Sequence, residues 1–308
     1  MSTPVVIGVD VGGTKISSAI ATAAGSILFD STTPTDPAGG LAVVDQISKQ
    51  VDELCSAVGI HAADVAATGI GVAGVLDRGG LVTNAPNLGL DGHGLTLALD
   101  ARLTHAVVVD NDVNAAALAE HRHGHGRSVT DLAFIAVGTG IGMGLIVGGS
   151  VVRGSRGAAG EIGHLPFGTD LLDPHNHRRG PLEEAVSGAA IAARYREQSG
   201  TSLSVPEIFE FAEAGDSTAS AVLDHEAALL ARAIVAVVAV IDPAMVILGG
   251  GVGSRRVLVD LVQRWLPRLG DPTIDVRLSQ LGPQATMIGA VELARDAARI
   301  PRVRESLT

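Results

Sequence analysis

The chain has 308 residues, enough for two medium-sized domains with cores of their own. Its formal net charge of −11 argues against nucleic acid or an anionic membrane as the main partner. A single cysteine, Cys55, excludes an internal disulfide and fits a reducing cytoplasm. Apolar residues make up 46% and aromatics only 2%, so the core is aliphatic, and 39 glycines point to many turns and close backbone approaches. The apolar run at 5–9 is too short for a signal peptide, and the longest run, 233–241, is far short of a membrane span. A cytoplasmic location is therefore expected.

Residues 5–9 have the length and composition of a buried strand, and 16–21 resume a strand-like pattern. Between them stand Asp10, Val11, Gly12, Gly13, Thr14 and Lys15. Two glycines at a hairpin let backbone N–H groups face an anion, while Thr14 adds a hydroxyl donor and Lys15 a charge. Asp10 is placed to hold a divalent cation, through water as Mg²⁺ prefers. Together these groups suit a nucleotide's phosphates and their metal. The run from Gly8 to Lys15 nearly spells a Walker A motif with its last two residues exchanged. A Walker A, like a dinucleotide fingerprint, opens a helix. This turn opens a strand, which excludes both.

Next come an expected strand at 26–32, a loop through Pro34, Pro37, Gly39 and Gly40, and a helix at 41–58 ending at Gly59. Strands at 67–73 and 81–83, a polar turn at 84–89 and a short helix at 95–103 follow. A strand at 106–109 runs into Asp110, Asn111 and Asp112, and 113–123 reads as a helix capped by Asp112 or a neighbour. A second hairpin, with strands at 132–137 and 143–147 around Gly138, Thr139, Gly140, Ile141 and Gly142, repeats the arrangement of the first. This recurrence indicates two similar half-domains. After the tight sequence 157–164 and a polar segment at 173–180, helices are expected at 184–199, 205–212 and 218–241, the last stopped by Asp242 and Pro243. A strand at 245–248 ends in Gly249, Gly250 and Gly251; a strand at 273–278 and a helix at 284–299 close the chain. Alternating strands and helices make the class α/β. His121, His123 and His125, with Arg122 and Arg127, fall at a helix end, where basic groups complement free carbonyls rather than build a metal site.

In this order and spacing, Asp10-Val11-Gly12-Gly13-Thr14-Lys15, the run from Gly71 through Gly74 to Asp77, Pro86-Asn87-Leu88, Asn111-Asp112-Val113-Asn114, Gly138-Thr139-Gly140-Ile141-Gly142, Gly160-Glu161-Ile162-Gly163-His164 and Gly249-Gly250-Gly251 resemble the ROK family of sugar kinases. The resemblance covers essentially the whole chain. It implies two actin-like ATPase domains, ribonuclease H-like, flanking a cleft. The N-terminal lobe would be 1–113 with a closing helix from about 286 to 308, and the C-terminal lobe 114–285. It also implies transfer of the γ-phosphoryl group of ATP, with Mg²⁺, to a sugar hydroxyl, usually on C6.

Residue by residue, the resemblance makes Asp112 the catalytic base, with Asp110 a competing carboxylate outside the family match. It places Gly74, Asn87, Asn111, Asp112, Glu161, His164 and Glu183 around the sugar, with Glu184 a one-residue alternative to Glu183. It places Asp10, Gly12, Gly13, Thr14, Lys15, Gly138, Thr139, Gly140, Gly250 and Gly251 around the nucleotide, Asp10 positioning Mg²⁺. The chemistry agrees. Phosphoryl transfer requires positioning and charge neutralisation, and a carboxylate accepting the alcohol's proton contributes roughly 10²–10⁴-fold. An amide both donates and accepts, as a hydroxyl requires. Glu161 and His164 share a face if their segment is helical. Turn chemistry for Asn87 and capping for Asp112 are the plainer alternatives.

Many family members carry three cysteines that, with the histidine at the position of His164, bind structural zinc. Here His175 and His177 align with the first two and Pro181 with the third, with one residue missing. His164, His175 and His177 leave three nitrogens where a structural site wants four ligands, so structural zinc is not expected. The expected activity is an ATP-dependent hexose kinase acting on C6 of glucose. N-acetylmannosamine or N-acetylglucosamine kinase is the alternative, and polyphosphate the alternative donor. From another class, a non-catalytic sugar-responsive regulator is possible; repressors of the family carry a helix-turn-helix ahead of the phosphate motif, and only Met1 to Val9 precede Asp10 here. The expected partners are hexose and ATP, with neither nucleic acid nor membrane, and the resemblance implies a homodimer.

Overall fold

The computed structural model describes residues 4–76, 80–83, 88–90, 94–177, 179–270 and 273–299. In chain order the strands are β1 (Val5–Val11), β2 (Lys15–Thr22), β3 (Ile27–Pro34), β4 (Val65–Val72), β5 (Val75–Leu76), β6 (Val82–Thr83), β7 (Ala106–Asn111), β8 (Leu132–Val137), β9 (Ile141–Val147), β10 (Ser150–Val151), β11 (Met245–Gly249) and β12 (Val276–Leu278). The helices are α1 (Leu41–Ala57), α2 (Leu95–Asp100), α3 (Asp112–His123), α4 (Pro181–Ala185), α5 (Gly188–Ser199), α6 (Val205–Glu213), α7 (Ser217–Ile241), α8 (Gly250–Gly253), α9 (Arg256–Trp265) and α10 (Ala285–Ala298). The chain divides into two compact units. One is built from Met1–Ala119, Arg153–Ala158 and Gln284–Thr308, the other from Glu120–Val152 and Ala159–Pro283.

In the first unit the sheet order is β3-β2-β1-β4-β7. β1, β2 and β3 form an antiparallel meander, and β4 and β7 run parallel to β1. One face carries Ile7, Val9, Ile16, Ile20 and Ile70 into a core with Val43, Ile47, Val51 and Leu54 of α1. Cys55 is buried in that helix. The other face is lined with small residues because α10 lies directly on it. A Cβ on Gly8 would strike the Val291 backbone, and one on Gly69 the Ala290 carbonyl. Gly289 of α10 meets the Ala115 carbonyl of α3 in the same way. The register sets Asp10, Gly71 and Asp110 side by side at the carboxyl ends of β1, β4 and β7.

In the second unit the order is β10-β9-β8-β11-β12, again an antiparallel meander followed by two parallel strands. The two half-domains expected from the repeated hairpins thus have the same strand order and directions. The long helix α7, apolar along most of its length, fills the core with Leu223, Ala227, Leu230, Ile234 and Val237 against Ile135, Val246 and Leu248. Its buried Glu226 is paired with Arg194 of α5 at 3.2 Å.

Two of the sequence expectations need correction, and one helix is missing from them. The helix expected at 184–199 is two helices, α4 and α5, parted at Val186 and Ser187. Ser187 takes extended backbone and accepts the Ala190 N–H at 3.2 Å, capping α5. The strand expected at 273–278 contracts to Val276–Leu278. The amphipathic helix α9, buried through Leu258, Val259, Leu261 and Val262, is an element the sequence reading omits. Among the described residues, no helix is long and apolar enough to cross a membrane.

Candidate active site

The first glycine turn joins β1 to β2, so it opens a strand and not a helix. Gly12 N–H bonds the Lys15 carbonyl at 3.0 Å, and the Thr35 hydroxyl donates to the Gly12 carbonyl at 2.6 Å. The turn is therefore held by its own backbone and by β3's end, leaving Gly13, Thr14 and Lys15 exposed. Asp10 sits below it, partly buried. Desolvation first, then the Asp112 carboxylate, push the Asp10 carboxyl up to about 7, against the pull of Lys15.

Asp112 is the first residue of α3. It is not the cap: the side-chain oxygen of Asn111 accepts the Val113 N–H at 2.9 Å and the Asn114 N–H at 3.1 Å. The Asn111 amide nitrogen donates to the Gly74 carbonyl at 2.9 Å, which joins two candidate sugar-site residues. Asp112 accepts the Val113 N–H at 2.9 Å, but burial outweighs this and holds its carboxyl above the usual carboxylate range. Gly71 leaves the room for this arrangement, since a Cβ there would press on Thr286 and stand 3.5 Å from the Asp112 Cα. Asp110 points away from this role. It is 4% exposed and fully engaged by Asn111, Asn114 and Arg153. Asn87 and Asp77 lie outside the described residues.

A cavity of about 550 Å³ runs along β7, walled by Leu76, Leu97, Val107 and Val109 and ending at Asp110, Asn111 and Arg153. Asp112 does not line it.

In the second unit the turn Gly138–Gly140 is held from several sides. The Gly138 N–H bonds the Gly140 carbonyl and the Gly188 N–H bonds the Gly138 carbonyl, both at 2.8 Å. Glu183 Oε2 accepts the Ile141 N–H at 3.0 Å, and its carboxylate occupies the space a Cβ on Gly140 would need. Burial raises the Glu183 carboxyl, opposed by the Ile141 N–H and by the charges of Arg179 and His164. Glu184 instead forms a two-point pair with Arg179, at 3.0 and 2.9 Å. Of the two neighbouring carboxylates, only Glu183 reaches the glycine turn. Gly250 has φ 79° and lies against the Val137 carbonyl, while a Cβ on Gly138 would stand 3.8 Å from the Gly251 nitrogen. The glycines of the two turns thus meet at one end of the sheet, with Thr139 and Gly251 exposed.

Glu161 and His164 are exposed. Their segment is a single 3₁₀ turn, Ile162–His164, with Glu161 flanking it, so they do not share an α-helical face. Gly160, with φ 93°, lies against the Met143 carbonyl and fixes the path into this turn. His177 Nε2 lies 2.7 Å from the Leu171 carbonyl, and the His175 side chain is outside the described residues. Pro181, in place of a cysteine, opens α4, a position that suits proline.

Among the described residues, no three His, Cys, Asp or Glu side chains are grouped to cage a metal. A nucleotide-borne Mg²⁺ asks for only one or two protein carboxylates beside phosphates and water. Asp10, desolvated and repelled by the Asp112 carboxylate, fits that need. Sequence reading missed Arg153 and Thr286, whose side chains brace Asp110 and the Asp112 carbonyl. No local motif marks either.

The ROK family model matches residues 6–297. The chain is 34% identical to a glucokinase of Streptomyces coelicolor, covering 94% of this chain and 97% of that one. It is 32% identical to an N-acetylmannosamine kinase of Escherichia coli, over 94% and 98%. Its fold matches that of a ROK family glucokinase from Streptomyces griseus, solved in complex with glucose and AMPPNP, with a TM-score of 0.79, 31% identity and coverage of 95% and 99%. A chain with these strand orders, glycine turns and carboxylates, matched almost end to end, belongs to the ROK family and is a sugar kinase with the two-domain actin-like ATPase fold.

Proposed function

We propose that the protein transfers the γ-phosphoryl group of ATP to the C6 hydroxyl of a hexose, with glucose as the preferred acceptor. The observation that carries this reading is the placement of Asp112. It is a partly buried carboxylate, raised in pKa, on the first turn of a helix whose cap, Asn111, is itself bound to Gly74. Once ionised, a carboxylate whose pKa is raised by burial takes a proton from an alcohol more readily than an ordinary surface aspartate. In this reading Asp112 accepts the hydroxyl proton as the oxygen attacks phosphorus, while Gly74, Asn87, Asn111, Glu161, His164 and Glu183 orient the sugar. Gly12, Gly13, Thr14, Lys15, Gly138, Thr139, Gly140, Gly250 and Gly251 receive the nucleotide. Asp10 would hold Mg²⁺, through water, and the ion when bound neutralises phosphate charge.

The 34% and 32% identities to kinases of different sugars keep N-acetylmannosamine as the second acceptor to test. The test is ADP release with Mg-ATP over glucose, mannose, fructose, allose, N-acetylglucosamine and N-acetylmannosamine, with Asp112→Asn as control. Turnover fastest with glucose and abolished in the control supports the reading. Preference for an acetamido sugar replaces glucose with the second acceptor. Binding of sugar without turnover in the wild type indicates a non-catalytic regulator.

A further inference from the structure

Arg153 takes part in neither the phosphate nor the sugar assignment. It opens Arg153–Ala158, a segment that belongs to the first unit although the residues on both sides of it belong to the second. Asp110 ties it there. Arg153 donates to Asp110 Oδ2 through Nε at 2.8 Å and Nη2 at 2.5 Å. The other oxygen, Oδ1, accepts the Asn111 N–H at 2.8 Å and the Asn114 side-chain amide at 2.9 Å. Asp110 and Asn114 are buried, at 4% and 3% exposure, so the carboxylate depends on these partners. The same carboxylate therefore fixes the last residue of β7, the first turn of α3 and the start of the crossing segment. Asp112 lies between the first two of these grips, flanked by Asn111 and Asn114. The crossing segment runs on through Gly160 to Glu161 and His164.

We infer that Arg153 is a positioning residue for phosphoryl transfer: by completing the shell of Asp110 it sets the orientation of Asp112 and moors the segment that leads to Glu161 and His164. The inference rests on the assignment of Asp112 as base. It requires no contact between Arg153 and either substrate.

The test uses the full-length protein with Arg153→Ala, Arg153→Lys and Asp110→Asn. In Arg153→Ala, kcat with the preferred sugar should fall about 10²-fold, the loss a displacement of one ångström can cause. Sugar KM should rise and ATP KM stay unchanged. Lysine restores charge but not the two-donor fork, so Arg153→Lys should recover part of kcat. Added methylguanidinium should rescue Arg153→Ala and not Asp110→Asn. The double variant should be no worse than the poorer single one, as expected for partners in one contact. Amide exchange gives a readout independent of turnover: 110–116 and 153–164 should both exchange faster in Arg153→Ala, with the circular dichroism spectrum unchanged. Unaltered kcat and sugar KM would overturn the inference, as would a loss of kcat matched by loss of folded protein and indifferent to methylguanidinium. If the wild type phosphorylates no sugar, the assigned function fails. The exchange data then still decide whether Arg153 moors both segments, and unchanged exchange overturns that too.

Discussion

Asn111 caps the helix that Asp112 opens, and the same side chain donates to the Gly74 carbonyl at 2.9 Å. A residue expected to touch sugar is thus also the platform of Asp112, the proposed base. Asn111→Ala should lower stability by about 1 kcal/mol through loss of the cap, and lower kcat more than it raises sugar KM. Asn111→Asp keeps the cap oxygen and loses the donor to Gly74. It should recover most of the melting temperature and little of kcat. Thermal denaturation beside steady-state kinetics separates the two effects.

Asp10 makes stability depend on pH in a definite direction. Its carboxyl titrates at about 7 in the folded protein against 3.8 for the free group. Between those values the folded chain holds a proton the unfolded chain has lost, so stability falls as pH rises from about 4 to about 7. Asp10→Asn removes this slope. In EDTA at pH 8 the variant should melt higher than the wild type, while its kinase activity is lost. Mg-ATP should raise the wild-type melting temperature and leave that of the variant nearly unchanged.

Glu183 and Gly140 occupy adjoining space. Gly140→Ala should push the carboxylate off the Ile141 N–H and loosen the glycine turn. Losing a hydrogen bond to a charged group should lower stability by about 2 kcal/mol, with a rise in the KM of ATP and of sugar beside it. Glu183→Gln, which keeps an acceptor for Ile141, should spare ATP KM relative to Glu183→Ala. Initial rates across both substrates decide.

The glycine face under α10 sets a limit on the first unit's core. Gly69→Ala places a methyl group against the Ala290 carbonyl and should cost about 3 kcal/mol by overpacking. Gly59→Ala, with nothing within 4 Å but φ of 70°, should cost about 1 kcal/mol from backbone strain alone. Urea titrations of the two variants rank them.

The segment before α4 is held by hydrogen bonds: His177 beside the Leu171 carbonyl at 2.7 Å, Asn176 to the Asp170 carbonyl at 2.8 Å, Thr169 to the Pro181 carbonyl at 3.0 Å. Exhaustive dialysis against a zinc chelator, followed by readdition of Mg²⁺, should therefore leave the melting temperature and kcat unchanged. Loss of either on chelation, restored by zinc, would show a metal in this segment.

The glycine turns, Asp10, Asp112 and the duplicated sheet were legible because each has a local signature: an apolar run broken by glycines, or a carboxylate at a strand end. The break in the 184–199 helix was not, because Val186 and Ser187 interrupt no periodicity; only the Ser187 cap reveals it. Asn111 rather than Asp112 as cap was equally hidden, since both residue types cap well. Arg153 was invisible for a different reason. Its meaning depends on Asp110, forty-three positions away in the chain, and no pattern in the sequence joins them.

The helix that closes the first sheet, α10, follows the whole of the second unit in the chain. During synthesis the strands β1 to β7 emerge with one face, the glycine face of Gly8 and Gly69, uncovered until the entire second unit has left the ribosome. The second unit carries all its strands between Glu120 and Pro283 and needs no later segment to complete its core. The usual order of maturation, N-terminal part first, is therefore reversed: the first unit waits, open, for α10. A chain stopped at Pro283 would hold a finished second unit beside a first that chaperones and proteases still recognise as unfinished.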